Sequence, residues 1–300
     1  MDAATFEGVT KSYDGLTAVS ALNLQIRQGS FFGLLGPNGA GKTTTLRMLL
    51  RIIMPDDGKI QILGQPLAAA TQDRIGYLPE ERGLYPKMQV RQVLVYLGAL
   101  KGLSETEADR RTRAWLERLE IADWSERKVN ELSKGMQQKV QFIAAVIHEP
   151  PLLVLDEPFT GFDPVNVAAV KDIMVDLRDR GTTIILSTHR MEQVEMMCDS
   201  ICLINRGRQV LDGDLREIKQ AYGKNTIRIE YAGRDTLDLS PFTSNVNRFG
   251  SVVEAKLRPG IDPQQILKAL VAQNVPIVRF ELIEPPLADI FVEKVTAANA

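Results

Sequence analysis

The sequence predicts an α/β fold. A parallel sheet carries helices on both faces, an antiparallel β subdomain precedes it, a helical insertion interrupts it, and a small α+β domain follows. Three observations carry this. Short, continuously apolar strands at 30–35, 152–155 and 183–186 are separated by helical stretches, the pattern of a sheet buried on both faces. A long stretch, 90–147, reads as mostly helical. Near residue 220 the character changes to short strands with two helices. At 300 residues the length suits about two domains, placed at 1–220 (helical part about 88–150) and 225–300.

The elements follow in order. Residues 4–11 and 17–27 alternate as strands, with Asp14-Gly15 as the turn between them. After the strand at 30–35 comes a glycine-rich loop, then a helix from Lys42 to about Ile53 that Pro55-Asp56-Asp57-Gly58 stops. Residues 59–63 form another strand. Ser104-Glu105-Thr106-Glu107 has the spacing of a capping box. Trp115, Leu116, Leu119 and Ile121 form an apolar stripe suited to a core. Beyond a junction at Tyr222-Gly223-Lys224-Asn225, strands are expected at 226–231, 251–257 and 277–282, and helices at 263–273 and 287–295.

Composition narrows the function classes. Hydrophobic residues make up 44% and charged residues 25%, which excludes wholesale disorder and collagen-like sequence. The net charge is −2, and residues 221–300 hold nine basic and nine acidic side chains. Without a basic surplus, no nucleic-acid partner is expected. The longest uncharged run, 28–41, is broken by Gly and Pro and is too short to span a bilayer. Met1-Asp2-Ala3-Ala4 does not open a secretory signal. Cys198 and Cys202 stand at a helical spacing but have no nearby His or Cys to complete a metal site, so reduced thiols in a cytosolic protein are expected.

The strongest motif is Gly36-Pro37-Asn38-Gly39-Ala40-Gly41-Lys42-Thr43, followed by Thr44. It fits the P-loop spacing G-x-x-x-x-G-K-[ST] between a strand and a helix. Glycines let backbone N–H groups curl inward onto phosphate oxygens, and the helix N-terminus adds partial positive charge. Lys42 brings a full charge, and Thr43 a hydroxyl for Mg²⁺. The strand 152–155 ends in Asp156-Glu157, at the sheet edge where ligands bind in such folds. Asp156 is expected to hold Mg²⁺, and Glu157 to polarise a water. Ser187-Thr188-His189 ends the next apolar strand and places His189 within reach of a γ phosphate.

These pieces in this order resemble the ATP-binding subunit of an ABC transporter, on a P-loop NTPase core. A long helical insertion separates Lys42 from Asp156 and ends in Leu132-Ser133-Lys134-Gly135-Met136-Gln137-Gln138, which resembles the family signature LSGGQ. Lys134 and Met136 depart from it. Ser133 and Gly135 keep the family's phosphate role by resemblance, although Ser133 also suits a helix cap. The resemblance further implies that Tyr13 stacks on adenine, with an ordinary strand aromatic as the alternative, and that Val19 packs beside the base. Thr160-Gly161-Phe162-Asp163 resembles the D-loop, in which Asp163 senses the opposite site. Glu80 stands where the family's Q-loop has Gln and is a further Mg²⁺ candidate.

The motifs Gly76-Tyr77-Leu78-Pro79-Glu80-Glu81-Arg82-Gly83-Leu84 and Leu132-Ser133-Lys134-Gly135-Met136 are similar to a prokaryotic sodium-extrusion and drug-efflux subgroup that often has a C-terminal extension. Leu287-Ala288-Asp289-Ile290-Phe291 resembles that extension's end.

The resemblance implies ATP and Mg²⁺ as cofactors and a homodimer that closes two ATPs between the P-loop of one copy and the signature of the other. It also implies a separate membrane-spanning permease and a peripheral place on the cytoplasmic face of the membrane. Leu84, Tyr85 and Met88 are candidate permease contacts, with local core packing as the alternative. A soluble ABC ATPase acting on nucleic acid or ribosomes, and a non-catalytic nucleotide sensor, are the competing readings.

Overall fold

Strand β1 (Asp2–Tyr13) returns as β2 (Leu16–Arg27) through Asp14-Gly15, at φ 46° and 83°. Two successive positive φ values match the right-handed twist of a tight hairpin. Strands β4 (Asp57–Ile62) and β5 (Gln65–Pro66) complete an antiparallel sheet of order β2-β1-β4-β5. The computed structural model describes residues 1–81, 83–232 and 237–299, so Arg82 of the 76–84 motif lies outside the described residues.

The central sheet starts with β3 (Phe31–Leu35), buried at every residue. Helix α1 (Lys42–Leu49) ends earlier than its periodicity predicts, and Arg51 turns left-handed at φ 54° just beyond it. Helix α2 (Ala69–Gln72) and β6 (Ile75–Leu78) follow. Next come α3 (Val90–Leu100), α4 (Glu105–Arg118) and α5 (Lys134–Val146). Ser104 caps α4 by accepting from Glu107 N, but the Glu107 carboxylate bonds Arg110 and Arg111 instead of closing the box. The predicted stripe packs inward, with Leu116, Leu119 and Ile121 buried and Trp115 edge-on to Phe142.

Then come β7 (Leu152–Asp156), α6 (Pro164–Asp179), β8 (Thr183–Thr188), α7 (Met191–Met197), β9 (Ser200–Asn205) and β10 (Arg208–Asp214). The sheet order is β10-β9-β3-β8-β7-β6, and β9, β3, β8, β7 and β6 pair in parallel. The two cysteines do not share a helix. Cys198 follows α7 and Cys202 lies in β9; both are buried free thiols whose burial pushes their pKa values up.

The chain divides into two units, Met1–Gly213 and Asp214–Ala300. The division precedes helix α8 (Leu215–Tyr222), whereas the sequence reading set the junction after it. In the second unit β11 (Thr226–Tyr231), β12 (Thr243–Phe249), β13 (Val252–Leu257) and β14 (Ile277–Ile283) form an antiparallel sheet of order β12-β13-β11-β14. Helices α9 (Pro263–Ala272) and α10 (Leu287–Asn299) accompany it. Ile227, Ile229, Val253, Ile266 and Leu270 lie at the centre of its apolar core.

Candidate active site

Parallel pairing brings the three motifs to one edge. Leu35, the last residue of β3, pairs with Thr188, and Asp156 pairs with Ser187. The loop after β3 and the ends of β7 and β8 therefore open at the carboxyl end of the sheet, where such folds bind ligands. There they enclose a cavity of ≈ 510 Å³, lined by Ala18, Asn38–Thr44 (38–44), Glu80, Asp156, Glu157, Thr160, His189 and Arg190.

The loop geometry depends on glycine. Gly41 stands at φ 109°, and a Cβ there would lie 2.4 Å from Ala18 O. Lys42 is buried, and its ammonium donates to Gly36 O (2.8 Å) and Pro37 O (3.2 Å). Burial holds its pKa below the usual lysine value, while Glu157, Asp156 and Glu80 oppose that shift. Thr43 Oγ1 donates to Asp156 Oδ2 at 3.2 Å. Burial pushes the Asp156 carboxyl above the usual range.

Glu157 is nearly buried and left-handed at φ 48°, with its N–H on Ser187 O at 2.9 Å. Its carboxylate accepts from Thr188 Oγ1 (3.1 Å) and from His189 N (3.0 Å), and pairs with His189 Nδ1 (2.6 Å). The His189 ring thus meets Glu157 through Nδ1, and Nε2 is the nitrogen that would face a phosphate.

The other expected residues fall in different places. Val19 is fully buried beneath the loop and does not line the cavity; strand alternation turns Ala18, one residue away, toward it. Tyr13 stands outside the cavity, 43% exposed, with Lys11 Nζ 5.6 Å from its ring centroid. Ser133 caps α5 by accepting from Met136 N at 3.3 Å, and Asp163 caps α6 by accepting from Asn166 N at 2.9 Å. Neither residue lines the cavity, and nor does Gly135. A Cβ at Gly135 would meet only Gly161 O, at an ordinary 3.7 Å, so nothing in this chain itself requires glycine there. The sequence reading missed Arg190, and gave no role to Thr188 although it stands inside the quoted Ser187-Thr188-His189.

The donor set fits a magnesium ion. Thr43, Asp156 and Glu80 offer hard oxygen atoms around the same cavity. No group of three or more His, Cys, Asp or Glu forms a metal cage among the described residues. Mg²⁺ suits such a sparse set, because it takes one or two carboxylates and completes its shell with substrate phosphates and water.

A second cavity, of ≈ 370 Å³, lies between the central sheet and the helical insertion. Tyr77, Leu84, Leu97, Leu100, Lys101 and His148 help line it. Tyr85 does not line it; 47% exposed, it stands edge-on to Tyr96 at 5.8 Å, while Met88 is half-buried. The His148 ring lies 3.3 Å from Ile75 O through Nε2, and Nδ1 finds no partner among the described residues.

Burial, with Lys101 and Arg111 nearby, depresses the His148 pKa from 6.5 to about 4. The unfolded ring binds a proton in that window and the folded ring does not. Stability is therefore complete above pH 6.5 and falls as pH drops toward about 4, by ~3 kcal/mol from this group. Thermal unfolding of His148→Gln should show a flatter loss of midpoint between pH 6.5 and 4.5 than the parent chain; parallel curves would disprove the assignment.

A P-loop, an acidic strand end and a strand-end histidine on one edge of a parallel sheet define a nucleotide-triphosphatase core. The family described as ABC transporter matches residues 19–160, and the one described as ATP-binding protein DrrA1-3-like, C-terminal domain, matches 213–295. The chain is 45% identical over 295 residues to the uncharacterised ABC transporter ATP-binding protein YhaQ of Bacillus subtilis, covering 98% of each. It is 34% identical to Nod factor export ATP-binding protein I of Cupriavidus pinatubonensis, over 95% of this chain and 88% of that one. A solved ATP-binding subunit of an ABC transporter superposes with TM-score 0.69 at 31% identity, over 74% of this chain and 93% of that one. This chain belongs to the ATP-binding subunits of ABC transporters.

Proposed function

We propose that two copies of this chain close on two ATP molecules, hydrolyse them, and pass the resulting motion to a separate membrane-spanning subunit that exports its cargo. One observation supports this above the others. The cavity at the P-loop is lined by that loop and the neighbouring strand ends, while Ser133 and Gly135 lie outside it at the start of α5. Each motif occurs once, so a second copy would bring its Ser133 and Gly135 to the P-loop of the first.

Within one site Lys42 and the loop amides would neutralise phosphate charge, and Thr43, Asp156 and Glu80 would hold Mg²⁺. The bound ion would offset charge on the β and γ phosphates. Glu157 would polarise the attacking water, and His189 would meet the γ phosphate through Nε2. ATP favours the closed pair because only there does it touch both chains, and a ligand shifts an equilibrium only by its differential affinity.

Among the described residues no helix is long and apolar enough to cross a membrane. Translocation then needs a permease, and the 370 Å³ groove lined by Leu84, with the exposed Tyr85 next in sequence, is the candidate seat for it, on the cytoplasmic face. Export agrees with the name of the Nod factor export relative.

Gly135→Asp tests the shared site. An acidic residue in the first turn of α5 favours the helix by about 0.3–1 kcal/mol and has room for its Cβ, yet it repels triphosphate. The variant should unfold at the parent temperature or above it, and lose both ATP-driven dimerisation in sedimentation and ATPase activity. A dimer formed with ATP as readily as in the parent chain would contradict the shared site.

A further inference from the structure

We infer that Thr188 is a positioning residue: its hydroxyl, on the last residue of β8, aims the Glu157 carboxylate for the attack on ATP. The inference rests on the proposed role of Glu157 as the group that polarises water. Thr188 is fully buried, and its Oγ1 has two partners. It donates to Glu157 Oε2 at 3.1 Å and accepts from Arg190 N at 3.1 Å. The hydroxyl carries one proton, and the Arg190 N–H occupies a lone pair, so the proton is directed at the carboxylate.

The two Glu157 oxygens are held differently. Oε1 meets two groups of His189, the backbone N–H and Nδ1. Oε2 is held by Thr188. Without that hydroxyl the carboxylate would stay tethered at Oε1 and be free to swing Oε2 about it.

The frame behind this contact is a buried parallel sheet. Thr188 pairs with Leu35, and Asp156 with Ser187, so the hydroxyl and the carboxylate arise from neighbouring buried strands. Glu157 itself leaves β7 at φ 48°, a conformation costly for a side chain of its size, with its N–H on Ser187 O. That turn sends the carboxylate back over β8, where Thr188 meets it. Thr188 does not line the P-loop cavity; it acts through Glu157.

The test is steady-state Mg²⁺-dependent ATP hydrolysis by the full chain. Thr188→Val keeps the branched shape and removes the hydroxyl; Thr188→Ala does the same with a smaller group if valine impairs folding. With a misaimed carboxylate, kcat should fall ~10- to 100-fold while KM for ATP changes little. Thr188→Ser should restore the parent kcat. In a Glu157→Gln background, Thr188→Val should slow hydrolysis no further. Parent kcat in the Val and Ala variants, equal losses in Val and Ser, or an added loss beside Glu157→Gln would overturn the inference. Unimpaired turnover by Glu157→Gln alone would instead remove the reading of Glu157 on which it rests.

Discussion

Glu157→Gln should bind ATP as the parent chain does, lose turnover by ~10²- to 10⁴-fold, and accumulate as an ATP-bound dimer. The substitution keeps the size of the side chain and one carbonyl oxygen. It replaces an acceptor-only group by one that must also place an N–H₂. In the native site both oxygens receive protons, from Thr188 Oγ1 on one side and from His189 N, with Nδ1 in contact, on the other. An amide can keep its carbonyl oxygen on the His189 side and turn its NH₂ toward Thr188, whose hydroxyl then accepts instead of donates, or toward the cavity. Either way the group no longer attracts the proton of an attacking water. The phosphate-facing parts, Lys42 and the loop amides, are untouched, so affinity should persist. ATPase rate, nucleotide affinity and sedimentation with saturating MgATP read the three quantities separately. Parent-like turnover would remove Glu157 from its role, and a monomer at saturation would remove the shared site.

The parts of the site legible in the sequence are those written locally. A P-loop needs its glycines, Lys42 and Thr43 within eight residues, and β3 and α1 flank it as the chemistry requires. Asp156 and Glu157 were legible because an apolar strand ends in them. The contact between Glu157 and Thr188 was not legible, because it depends on the register of β7 against β8, which no spacing along the chain reveals.

Val19, taken from the resemblance, lies in the core, while its neighbour Ala18 lines the cavity. Side chains alternate along β2, and a one-residue error in parity moves a residue from the cavity to the core. The cysteines mislead similarly: a four-residue spacing looks helical, but the chain leaves α7 and enters β9 between them. Strand β12, Thr-Ser-Asn-Val-Asn-Arg-Phe, was missed because it has little apolar alternation and only Thr243 is buried in it. Its pairing with β13 defines it, not its own side chains.

Lys42→Met should abolish useful nucleotide binding and yet leave the nucleotide-free chain as stable as the parent, or more so. Lys42 is buried with its ammonium on two carbonyl oxygens, and its nearest carboxylates do not fully offset its lost hydration. Its folded pKa is therefore below the unfolded value of 10.5. The sign follows from proton counts: between the two values the unfolded chain binds more protons, so stability rises with pH there. At neutral pH the charged lysine is a cost to the empty fold, and methionine, similar in length and apolar, removes it.

Triphosphate reverses the balance by bringing negative charge to the same ammonium. Losing a buried partner of that kind costs ~2–5 kcal/mol, so affinity should fall between roughly 30-fold and several thousand-fold. The two effects separate in one experiment. Without nucleotide, the thermal midpoint of Lys42→Met should equal or exceed the parent's. With MgATP the parent's midpoint should rise, as it must when a ligand binds only the folded state. The variant's should not move at concentrations that saturate the parent. A clear loss of stability without nucleotide would mean that Glu157, Asp156 and Glu80 need the ammonium more than burial penalises it, and the electrostatic account of the empty site would fail.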